Sequence, residues 1–424
     1  MATLTRPERV GIERIAAYPC TLALDMRELA EARDHDPRHP IDELWVNARS
    51  VNPPWEDPVT MAVNAALRVV TPQDREDIEL IIVGTESSPD YGKPMSTYVH
   101  RWCQIQPNCR NFEAKHACYG GTSGLMMAAH WVASGASPGK KALVVTSDQS
   151  RTHLGQPWEY VLGAAATAMI VSAEPDVLEI ELDKTGYWTS EIFDTYRPTS
   201  QKEVGHADIS LYGYLEALEG AYDHFLRKVG PIDYDSFFKK HVYHVPFGGM
   251  TFRAHRALLR RWTAHMGSAD LGVKAAREHF ERKSKPALKY NAQFGGTYTS
   301  ATFIALMGLI DSFDDLDPGD RVSMFSYGSG SCAEFYSGKI GPHARERVAA
   351  AALQAGLDAR QRLTVADYEA VERARSEQID RSDFSVDHTG AEIGLAGLYD
   401  RVYAGTGRLV LDGVSEYQRN YRMS

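Results

Sequence analysis

Two kinds of hydrophobic pattern alternate along the chain. Short runs of consecutive apolar residues are typical of buried strands, and longer segments with apolar residues every three or four positions are typical of helices packed on a sheet. The predicted strands of the N-terminal region cover 78–83, 141–146 and 164–172, and the predicted helices cover 59–70, 96–103 and 123–132. This alternation predicts an α/β protein built in layers.

The same order of elements recurs further along the chain. Helices are predicted over 211–229 and 298–312, and strands over 242–245, 321–326 and 332–337. Both regions contain a strand that leads to a polar residue, Glu86 in the first region and His244 in the second. The repetition predicts two similar halves, 1–180 and 181–424, which bring these strand ends to a central cleft.

The remaining segments are less regular. Polar and aromatic residues dominate 185–207, which we interpret as a long loop between the halves. Helices rich in alanine, arginine and glutamate are predicted over 344–355 and 365–376, followed by a strand and tail over 399–421. We expect these last segments to close against the body of the protein.

Cys118 lies between the end of a predicted strand and the start of a predicted helix rich in small residues. The N-terminus of a helix carries partial positive charge, which favours a thiolate over a thiol. Gly120, Gly121 and Gly124 let a substrate approach backbone N–H groups that can hold an oxyanion. From this segment alone, a nucleophile and a buried structural thiol are equally good interpretations.

Three segments together resemble the 3-hydroxy-3-methylglutaryl-CoA synthases, an aldol-forming branch of the thiolase superfamily. They read Ile81-Ile-Val-Gly-Thr-Glu86-Ser, Glu113-Ala-Lys-His-Ala-Cys118-Tyr and His241-Val-Tyr-His244-Val-Pro-Phe. The resemblance implies that Glu86, Cys118 and His244 form the catalytic set. It also implies a thiolase-like α/β fold, in which two duplicated halves form α/β/α/β/α layers.

The resemblance also implies residues that bind the substrate, namely Asp148, Asp194, Tyr298 and Ser329. Asp148 and Asp194 match acidic positions that organise the family's active site, and Ser329 matches a glycine-serine turn that lines the pocket. Tyr298 matches the tyrosine of a Gly-Asn-x-Tyr-Thr segment. For Asp148 on its own, an ordinary Asx turn is at least as good an interpretation.

The implied chemistry gives each residue type a task. A cysteine accepts an acetyl group from a thioester and keeps it activated. Glu86 then removes a methyl proton, for which burial in an apolar cleft would raise its pKa suitably. His244 holds the carbonyl of a 3-keto thioester and helps to protonate the new alkoxide. Standing alone, Glu86 would be read as a helix cap or surface acid, and His244 as a core histidine.

Two departures separate the chain from the family's mevalonate-pathway enzymes. Gly296 stands where those enzymes usually carry an asparagine, and Thr152 stands where they usually carry a tyrosine. The segments 93–100 and 148–154 are more similar to the branch that serves polyketide synthases. That branch takes acetyl from one acyl carrier protein and adds a carboxymethyl group to a polyketide held on another.

Other functions stay open at this stage. A mevalonate-pathway enzyme would use acetyl-CoA and acetoacetyl-CoA in place of carrier proteins. A ketosynthase-like acyltransferase would condense by Claisen attack, but such enzymes usually pair their cysteine with two histidines, or with histidine and asparagine, rather than with a glutamate. A catalytically inactive partner protein is disfavoured because Glu86, Cys118 and His244 are all present.

The net charge of −10 argues against nucleic acid as a partner. One cluster of basic residues nevertheless stands out in this acidic chain. Its members are Arg253, His255, Arg256, Arg260 and Arg261 in a predicted helix over 251–265, with Lys283, Lys285 and Lys289 downstream. We predict a phosphate clamp at the mouth of the site, chiefly Arg253 and Arg256, for coenzyme A or a phosphopantetheine arm. A solvated helix face is an equally good interpretation.

Composition sets the remaining expectations. The 424 residues are 43% hydrophobic and 24% charged, no apolar run is long enough for a membrane span, and Met1–Arg9 lacks a signal-peptide core. Five cysteines without a CxxC pair indicate neither disulfides nor zinc. We therefore predict a cytoplasmic protein without metal or bound cofactor, whose substrates are thioesters, and the resemblance implies a homodimer.

Overall fold

The computed structural model describes residues 6–424, so the first five residues of the Met1–Arg9 segment considered above lie outside the described residues. The strands in this range are β1 (Gly11–Pro19), β2 (Leu22–Asp25), β3 (Ala48–Val51), β4 (Ile78–Gly84), β5 (Arg110–Ala114), β6 (Lys141–Gln149), β7 (Ala164–Ser172), β8 (Leu178–Thr189), β9 (Thr195–Tyr196), β10 (Val204–Gly205), β11 (Lys240–Val242), β12 (Arg321–Gly328), β13 (Cys332–Ile340), β14 (Gln361–Arg362), β15 (Phe384–Ser385), β16 (Leu409–Ser415) and β17 (Gln418–Met423).

The α-helices of the same range are α1 (Met26–Ala32), α2 (Pro58–Ala66), α3 (Asp74–Asp77), α4 (Ser96–Trp102), α5 (Gly120–Ala133), α6 (Ala207–Val229), α7 (Tyr234–Phe237), α8 (Gly248–His265), α9 (Gly272–Lys283), α10 (Asn291–Phe294), α11 (Ala301–Ser312), α12 (Ala344–Ala350), α13 (Leu353–Asp358), α14 (Val365–Glu377) and α15 (Leu398–Val402). Short 3₁₀ turns cover Pro157–Val161, Lys285–Lys289, Tyr298–Ser300 and Ala391–Ile393, and a π-helical turn covers His39–Glu43. Within 6–424, none of the helices combines the length and apolar character that a membrane crossing requires.

Nine strands form the main sheet, in the order β11-β12-β13-β8-β1-β7-β6-β4-β5. The strands β5, β4 and β6 run parallel to one another, so their carboxyl ends meet along one edge. The strands β11 and β12 are also parallel. Two strand groups result, because β1 pairs with β7 along its length but with β8 only at Gly11 and Ile12.

The helices α5 and α11 lie between the two strand groups. Leu125 of α5 and Phe303 of α11 share one core with Val144 of β6 and Met324 of β12. Every residue over 301–310 is buried. A helix that is apolar on all sides is what burial between two sheets requires.

Further helices cover the outer faces of the strand groups. Val63 of α2 packs in one core with Val145 of β6. Phe225 of α6 packs in another with Phe335 of β13. The resulting order of helices, strands, helices, strands and helices confirms the predicted α/β/α/β/α layers. The division at residue 180 into duplicated halves stays a prediction.

Several predicted elements differ from the observed ones. The segment 185–207 is not all loop, because β8 extends to Thr189 and pairs with β13. Polar residues are tolerated in this strand because they pair with one another: the Thr185 hydroxyl donates a hydrogen bond to the Glu334 carboxyl group of β13 at 2.8 Å. The predicted tail over 399–421 contains most of α15 and a hairpin of β16 and β17. These two strands form a small sheet with β15. The side chains of this sheet pack around the buried Trp55.

Candidate active site

The turn after β4 and the loop after β5 meet because these two strands are parallel neighbours. A Cβ atom on Gly84 would lie 2.5 Å from the carbonyl carbon of Gly120, so the end of β4 can touch the start of α5 only where glycine is present. This contact brings together side chains that are 32 residues apart. The Cys118 thiol lies 3.5 Å from Glu86 Oε2 and donates to it.

His244 reaches the same place from the other strand group. The strand β11 ends at Val242, so His244 lies two residues beyond the strand rather than inside the predicted strand over 242–245. Its side chain is buried, with Nδ1 3.5 Å from the Thr302 hydroxyl of α11. The Tyr214 hydroxyl donates to the His244 carbonyl at 2.8 Å, which fixes the backbone there.

One cavity of about 390 Å³ contains these three side chains in its wall. Of the other predicted site residues, Tyr298, Ser329 and Arg253 also line it, and most of the remaining wall is apolar. Concave, mainly apolar cavities with a few converging polar groups are typical of small-molecule sites. The structure thus brings Glu86, Cys118 and His244 together around a space that can hold a substrate.

Asp148 does not line the cavity but holds the turn that carries Glu86. The carboxylate accepts hydrogen bonds from the backbone N–H of Glu86 at 2.9 Å and the Thr85 hydroxyl at 2.9 Å. The hydroxyls of Ser87 and Thr299 donate to it as well. Asp148 is therefore neither in an Asx turn nor placed for the predicted substrate contact. Its position indicates that it orients the Glu86 turn.

Asp194 is likewise buried behind the cavity wall. It accepts from the Tyr327 hydroxyl at 2.6 Å and from the Gly330 backbone N–H at 2.9 Å. Because Gly330 follows Ser329, this bond fixes the turn that presents Ser329. The direct substrate contact predicted for Asp194 is thus replaced by a positioning contact.

Arg197 and Glu203 are site residues that the sequence patterns missed. Arg197 Nη2 lies 3.4 Å from Glu86 Oε1 and 3.3 Å from Glu203 Oε2, so two carboxylates share one guanidinium. The Tyr298 ring lies beneath this guanidinium, with its centroid 5.0 Å away. Burial would raise the pKa of Glu203, but the Arg197 guanidinium, His153 and the Arg151 backbone N–H together outweigh it and lower that pKa to about 2.

The protonation of Glu86 agrees with the sequence expectation, whereas that of Cys118 differs from it. Burial raises the pKa of Glu86 to about 8, although Arg197 favours the carboxylate. Burial, together with the Glu86 charge, also raises the pKa of Cys118 well above its ordinary value. The predicted thiolate is therefore not the resting form. The helix α5 begins at Gly120, and its N-terminal charge does not overcome these two effects.

His244 is a neutral imidazole at neutral pH. Burial lowers its pKa to about 3, and within residues 6–424 no carboxylate contributes an opposing effect. A neutral imidazole donates through one ring nitrogen and accepts through the other. We therefore expect His244 to act on a substrate carbonyl as a hydrogen-bond donor, not as a cation.

The raised pKa of Glu86 predicts a pH-dependent effect on stability. Its folded value of about 8 exceeds the ordinary 4.5, so this group favours folding below pH 4.5, and that contribution is lost as the pH rises to about 8. We expect Glu86→Gln, which cannot ionise, to be more stable than the wild type at pH 8 by on the order of 3 kcal/mol. At pH 5 the two should nearly coincide. Thermal denaturation at both pH values measures this, and a variant less stable than wild type at pH 8 would contradict it.

The predicted basic cluster divides into free and paired side chains. Arg253 lines the cavity, and Arg253, Arg256 and Arg260 also border a surface groove between α6 and α8. Arg260 pairs with Asp270 at 3.7 Å and Arg261 with Asp223, which leaves Arg253 and Arg256 as the two members without an ion pair in residues 6–424. His255 is not at the surface: it is buried and lies 2.8 Å from both the Tyr243 hydroxyl and His279.

The three downstream lysines do not belong to a phosphate clamp. Their ammonium groups pair with carboxylates, Lys283 with Asp235 at 2.8 Å, Lys285 with Glu281 at 2.9 Å and Lys289 with Asp311 at 2.5 Å. Among residues 6–424, no cluster of three or more histidine, cysteine, aspartate or glutamate side chains has the arrangement of a metal site. All five cysteines are free thiols.

Comparison with known proteins places this site in a family context. The family model described as hydroxymethylglutaryl-coenzyme A synthase N terminal matches residues 6–176, and the corresponding C-terminal model matches residues 262–399. Glu86 and Cys118 fall inside the first range, whereas His244 lies between the two ranges.

Similar proteins and solved structures agree with these matches. The polyketide biosynthesis 3-hydroxy-3-methylglutaryl-ACP synthase PksG of Bacillus subtilis is 37% identical over 372 residues, covering 85% of this chain and 87% of PksG. The hydroxymethylglutaryl-CoA synthase of Enterococcus faecalis is 33% identical over 365 residues, covering 85% and 91%. The HMG synthase of the curacin biosynthetic pathway, also solved with apo, acetyl and holo donor-ACP, has a TM-score of 0.91 at 36% identity, covering 98% of this chain and 100% of that one.

Proposed function

The chain belongs to the hydroxymethylglutaryl-CoA synthase family, and we propose that it is a polyketide β-branching member of that family. It forms an acetyl-cysteine, adds the acetyl carbon by aldol addition to the 3-keto carbon of a polyketide thioester on an acyl carrier protein, and releases the product by hydrolysis. The observation that carries this proposal is the single cavity in which Glu86, Cys118 and His244 meet.

Similarity supports carrier proteins as the thioester carriers. PksG is named as an ACP synthase of polyketide biosynthesis, and the curacin enzyme has been solved with its donor-ACP. The site differs from a mevalonate-type acceptor site at Gly296, which lines the cavity. A Cβ atom there would lie 2.3 Å from the Val161 carbonyl oxygen, so an asparagine does not fit without movement of the 157–161 turn.

The first step transfers acetyl to sulfur. The Cys118 sulfur attacks the thioester carbonyl, the bond to the carrier sulfur breaks, and the departing thiolate takes up a proton. Because the resting Cys118 is a thiol, its proton must leave during attack. Glu86, whose Oε2 lies 3.5 Å from the sulfur, is the carboxylate placed to accept that proton and pass it on.

The second step forms the carbon–carbon bond. Glu86 removes a proton from the methyl group of the acetyl-cysteine, and the resulting enolate carbon attacks the 3-keto carbon of the acceptor. The neutral His244 donates a hydrogen bond to the keto oxygen as it becomes an alkoxide. Glu86 then holds the proton and is a stronger acid than a neutral imidazole, so it supplies the proton to the alkoxide.

The third step frees the enzyme. Water adds to the acyl carbon, the carbon–sulfur bond breaks, and Cys118 regains its proton while a carboxylate leaves. Arg197, which lies 3.4 Å from Glu86, favours the anionic form of this base between steps. Glu203 shares the same guanidinium at 3.3 Å and so limits how strongly Arg197 can stabilise the Glu86 carboxylate.

The proposal is tested by intact-mass analysis of the protein after mixing with an acetyl carrier protein and, separately, with acetyl-CoA. We expect an added acetyl mass, formed faster from the carrier protein. A preference for acetyl-CoA together with turnover of acetoacetyl-CoA would instead identify a mevalonate-type enzyme. Acetylation without aldol product from any 3-keto thioester would contradict the proposed condensation.

The arginines of α8 give a prediction about donor docking. Arg253 and Arg256 border the groove beside the cavity, and acidic carrier proteins are guided by rim charges of this kind. We expect the double change Arg253→Glu and Arg256→Glu to slow acetyl transfer from a carrier protein about ten-fold or more at low salt, and transfer from acetyl-CoA much less. The difference should shrink as salt is added.

Rates for both donors across a salt series measure this effect. The matched control is Arg27→Glu, an exposed arginine on α1, a helix that packs against α14. Equal losses for both donors with one salt dependence would exclude carrier docking at this groove and leave a shared phosphate contact.

Three further properties belong to the same proposal. We propose that the enzyme works in the cytoplasm, where its free thiols stay reduced. We propose that it uses thioester substrates without a bound cofactor.

We also propose a homodimer, supported by β5 at the end of the sheet, where one edge is open to another strand. Sedimentation at several protein concentrations measures the oligomeric state.

A further inference from the structure

A second cavity of about 380 Å³ lies behind the segments that hold the candidate base. Glu86 and Glu203 face the first cavity, whereas Ser87 and Ser200 line the second. The two cavities are therefore separated by the turn after β4 and by the loop that carries Arg197. Arg151 lines the second cavity and does not line the first.

Arg151 has no carboxylate within 4 Å among residues 6–424, and its Nε is buried without a hydrogen-bond partner. The nearby carboxylates are already engaged by other groups. Glu203 lies 3.3 Å from Arg197 and 3.4 Å from His153. Glu372 lies 2.5 Å from Arg375. Arg151 therefore forms no ion pair with the described residues, although the nearby Glu203 charge partly offsets its own.

The acidic groups of the second cavity contact groups other than the Arg151 guanidinium. Asp57 pairs with Arg419 at 3.1 Å, and Asp90 accepts from two backbone N–H groups of its own turn. Asp380 accepts hydrogen bonds from Ser200 and Gln201.

Glu56, also in the wall of the second cavity, accepts from the hydroxyls of Tyr18 and Tyr403. Arg381 is a second guanidinium in the wall without an ion pair in the described chain. The wall carries four carboxyl groups and four arginines, and Arg151 and Arg381 are the two of these arginines that have no ion pair with residues 6–424.

The cost of this arrangement points to a ligand. A largely buried cation without a counter-ion is unfavourable, and burial together with the neighbouring cations Arg197 and Arg375 lowers the pKa of Arg151 to about 10. A guanidinium binds carboxylate and phosphate groups through two parallel hydrogen bonds. We propose that the second cavity binds a small organic oxyanion, a carboxylate or a phosphate ester, through Arg151. This inference does not depend on the proposed condensation.

The test is a binding titration at constant ionic strength. Glutarate and inorganic phosphate are the two probes, and calorimetry and thermal unfolding are the readouts. We expect at least one probe to bind saturably to the wild type and to raise its unfolding temperature, and the response to the two probes distinguishes a carboxylate site from a phosphate site. Arg151→Gln should weaken that binding at least ten-fold. Arg151→Lys, which keeps the charge but not the fork, should weaken it less.

The control variant is Arg253→Gln, which removes an arginine from the first cavity and should leave the affinity for the probe unchanged. Loss of binding in this variant would place the anion in the first cavity and overturn the proposal. Absence of saturable binding to the wild type, or unchanged affinity in both Arg151 variants, would overturn it as well. A third result would also overturn the proposal: Arg151→Gln shifts the monomer–dimer equilibrium, and neither probe affects the wild type. The Arg151 guanidinium would then belong to a contact between subunits.

Discussion

Replacing Cys118 with serine is expected to abolish formation of the acyl-enzyme, with acetyl transfer slowed by about 10³-fold or more. The thiol is the group in the cavity wall that can attack a thioester carbonyl, with Glu86 Oε2 placed 3.5 Å away to take its proton. A hydroxyl is a far weaker acid than a thiol, and a carboxyl group with a pKa of about 8 is a poor base for it.

The measurement is the mass of the tryptic peptide that contains position 118 after exposure to an acetyl donor. Cys109→Ser, which alters another partly exposed thiol, serves as the control and should acetylate at the wild-type rate. Unchanged acetylation of Cys118→Ser at this peptide would remove Cys118 from the proposed mechanism. Loss of acetylation in the Cys109 variant would show that reactivity at position 118 is not what the assay reports.

The three central residues could be predicted because each follows a strong local signal. An apolar run over 78–83 stops just before Glu86, and a glycine-rich helix start follows Cys118. His244 lies two residues beyond the short, buried strand β11. Such patterns locate strand ends, and strand ends of a layered α/β fold gather at one cleft. The ordered family segments then allowed these positions to be assigned roles.

Arg197 and Glu203 could not be found in the same way. Both lie in an irregular stretch after β8, where the sequence shows neither the helical nor the strand pattern of apolar residues. Their importance rests on the distances from Arg197 to Glu86, 3.4 Å, and to Glu203, 3.3 Å, which only the folded chain creates. Arg197 lies three residues after Asp194, which the family resemblance does indicate, but nothing in the sequence links Arg197 to Glu86. The basic cluster shows the opposite error, since His255 has a surface-like sequence neighbourhood and is buried.

Protonation states were the least predictable feature. Cys118 lies just before a helix, which favours a thiolate, but burial and the adjacent Glu86 carboxyl decide the outcome in the resting site. The consequence is that thiol and carboxyl share the work of moving protons. Glu86 accepts one proton during acyl transfer and another during condensation. A base used twice works best when its pKa is close to the working pH.

This dual use leads to the second large effect, which is expected for Glu86→Gln. The variant should still acetylate at Cys118, more slowly than the wild type, because the carrier thiolate or water can take the thiol proton. Condensation should fall by about 10²- to 10⁴-fold, because glutamine cannot take up the methyl proton, and Glu203, the cavity carboxylate that shares Arg197 with Glu86, has a pKa lowered to about 2 and is a much weaker base. Exchange of the acetyl methyl protons with deuterated solvent, followed by mass spectrometry, measures the proton removal directly and does not require an acceptor.

The pH dependence of that exchange separates a catalytic role from a structural one. A carboxylate acts as a base only when it is ionised, so exchange in the wild type should rise with pH and level off above about 8, the pKa of Glu86. Glu86→Gln should lose this rise. Glu113→Gln is the control, since Glu113 is a partly buried carboxyl on β5 that accepts from the Met95 backbone N–H at 2.8 Å and does not line the cavity. If Glu86→Gln lost acetylation and exchange equally, or if its exchange kept the wild-type pH profile, Glu86 would hold the site together without acting as its base.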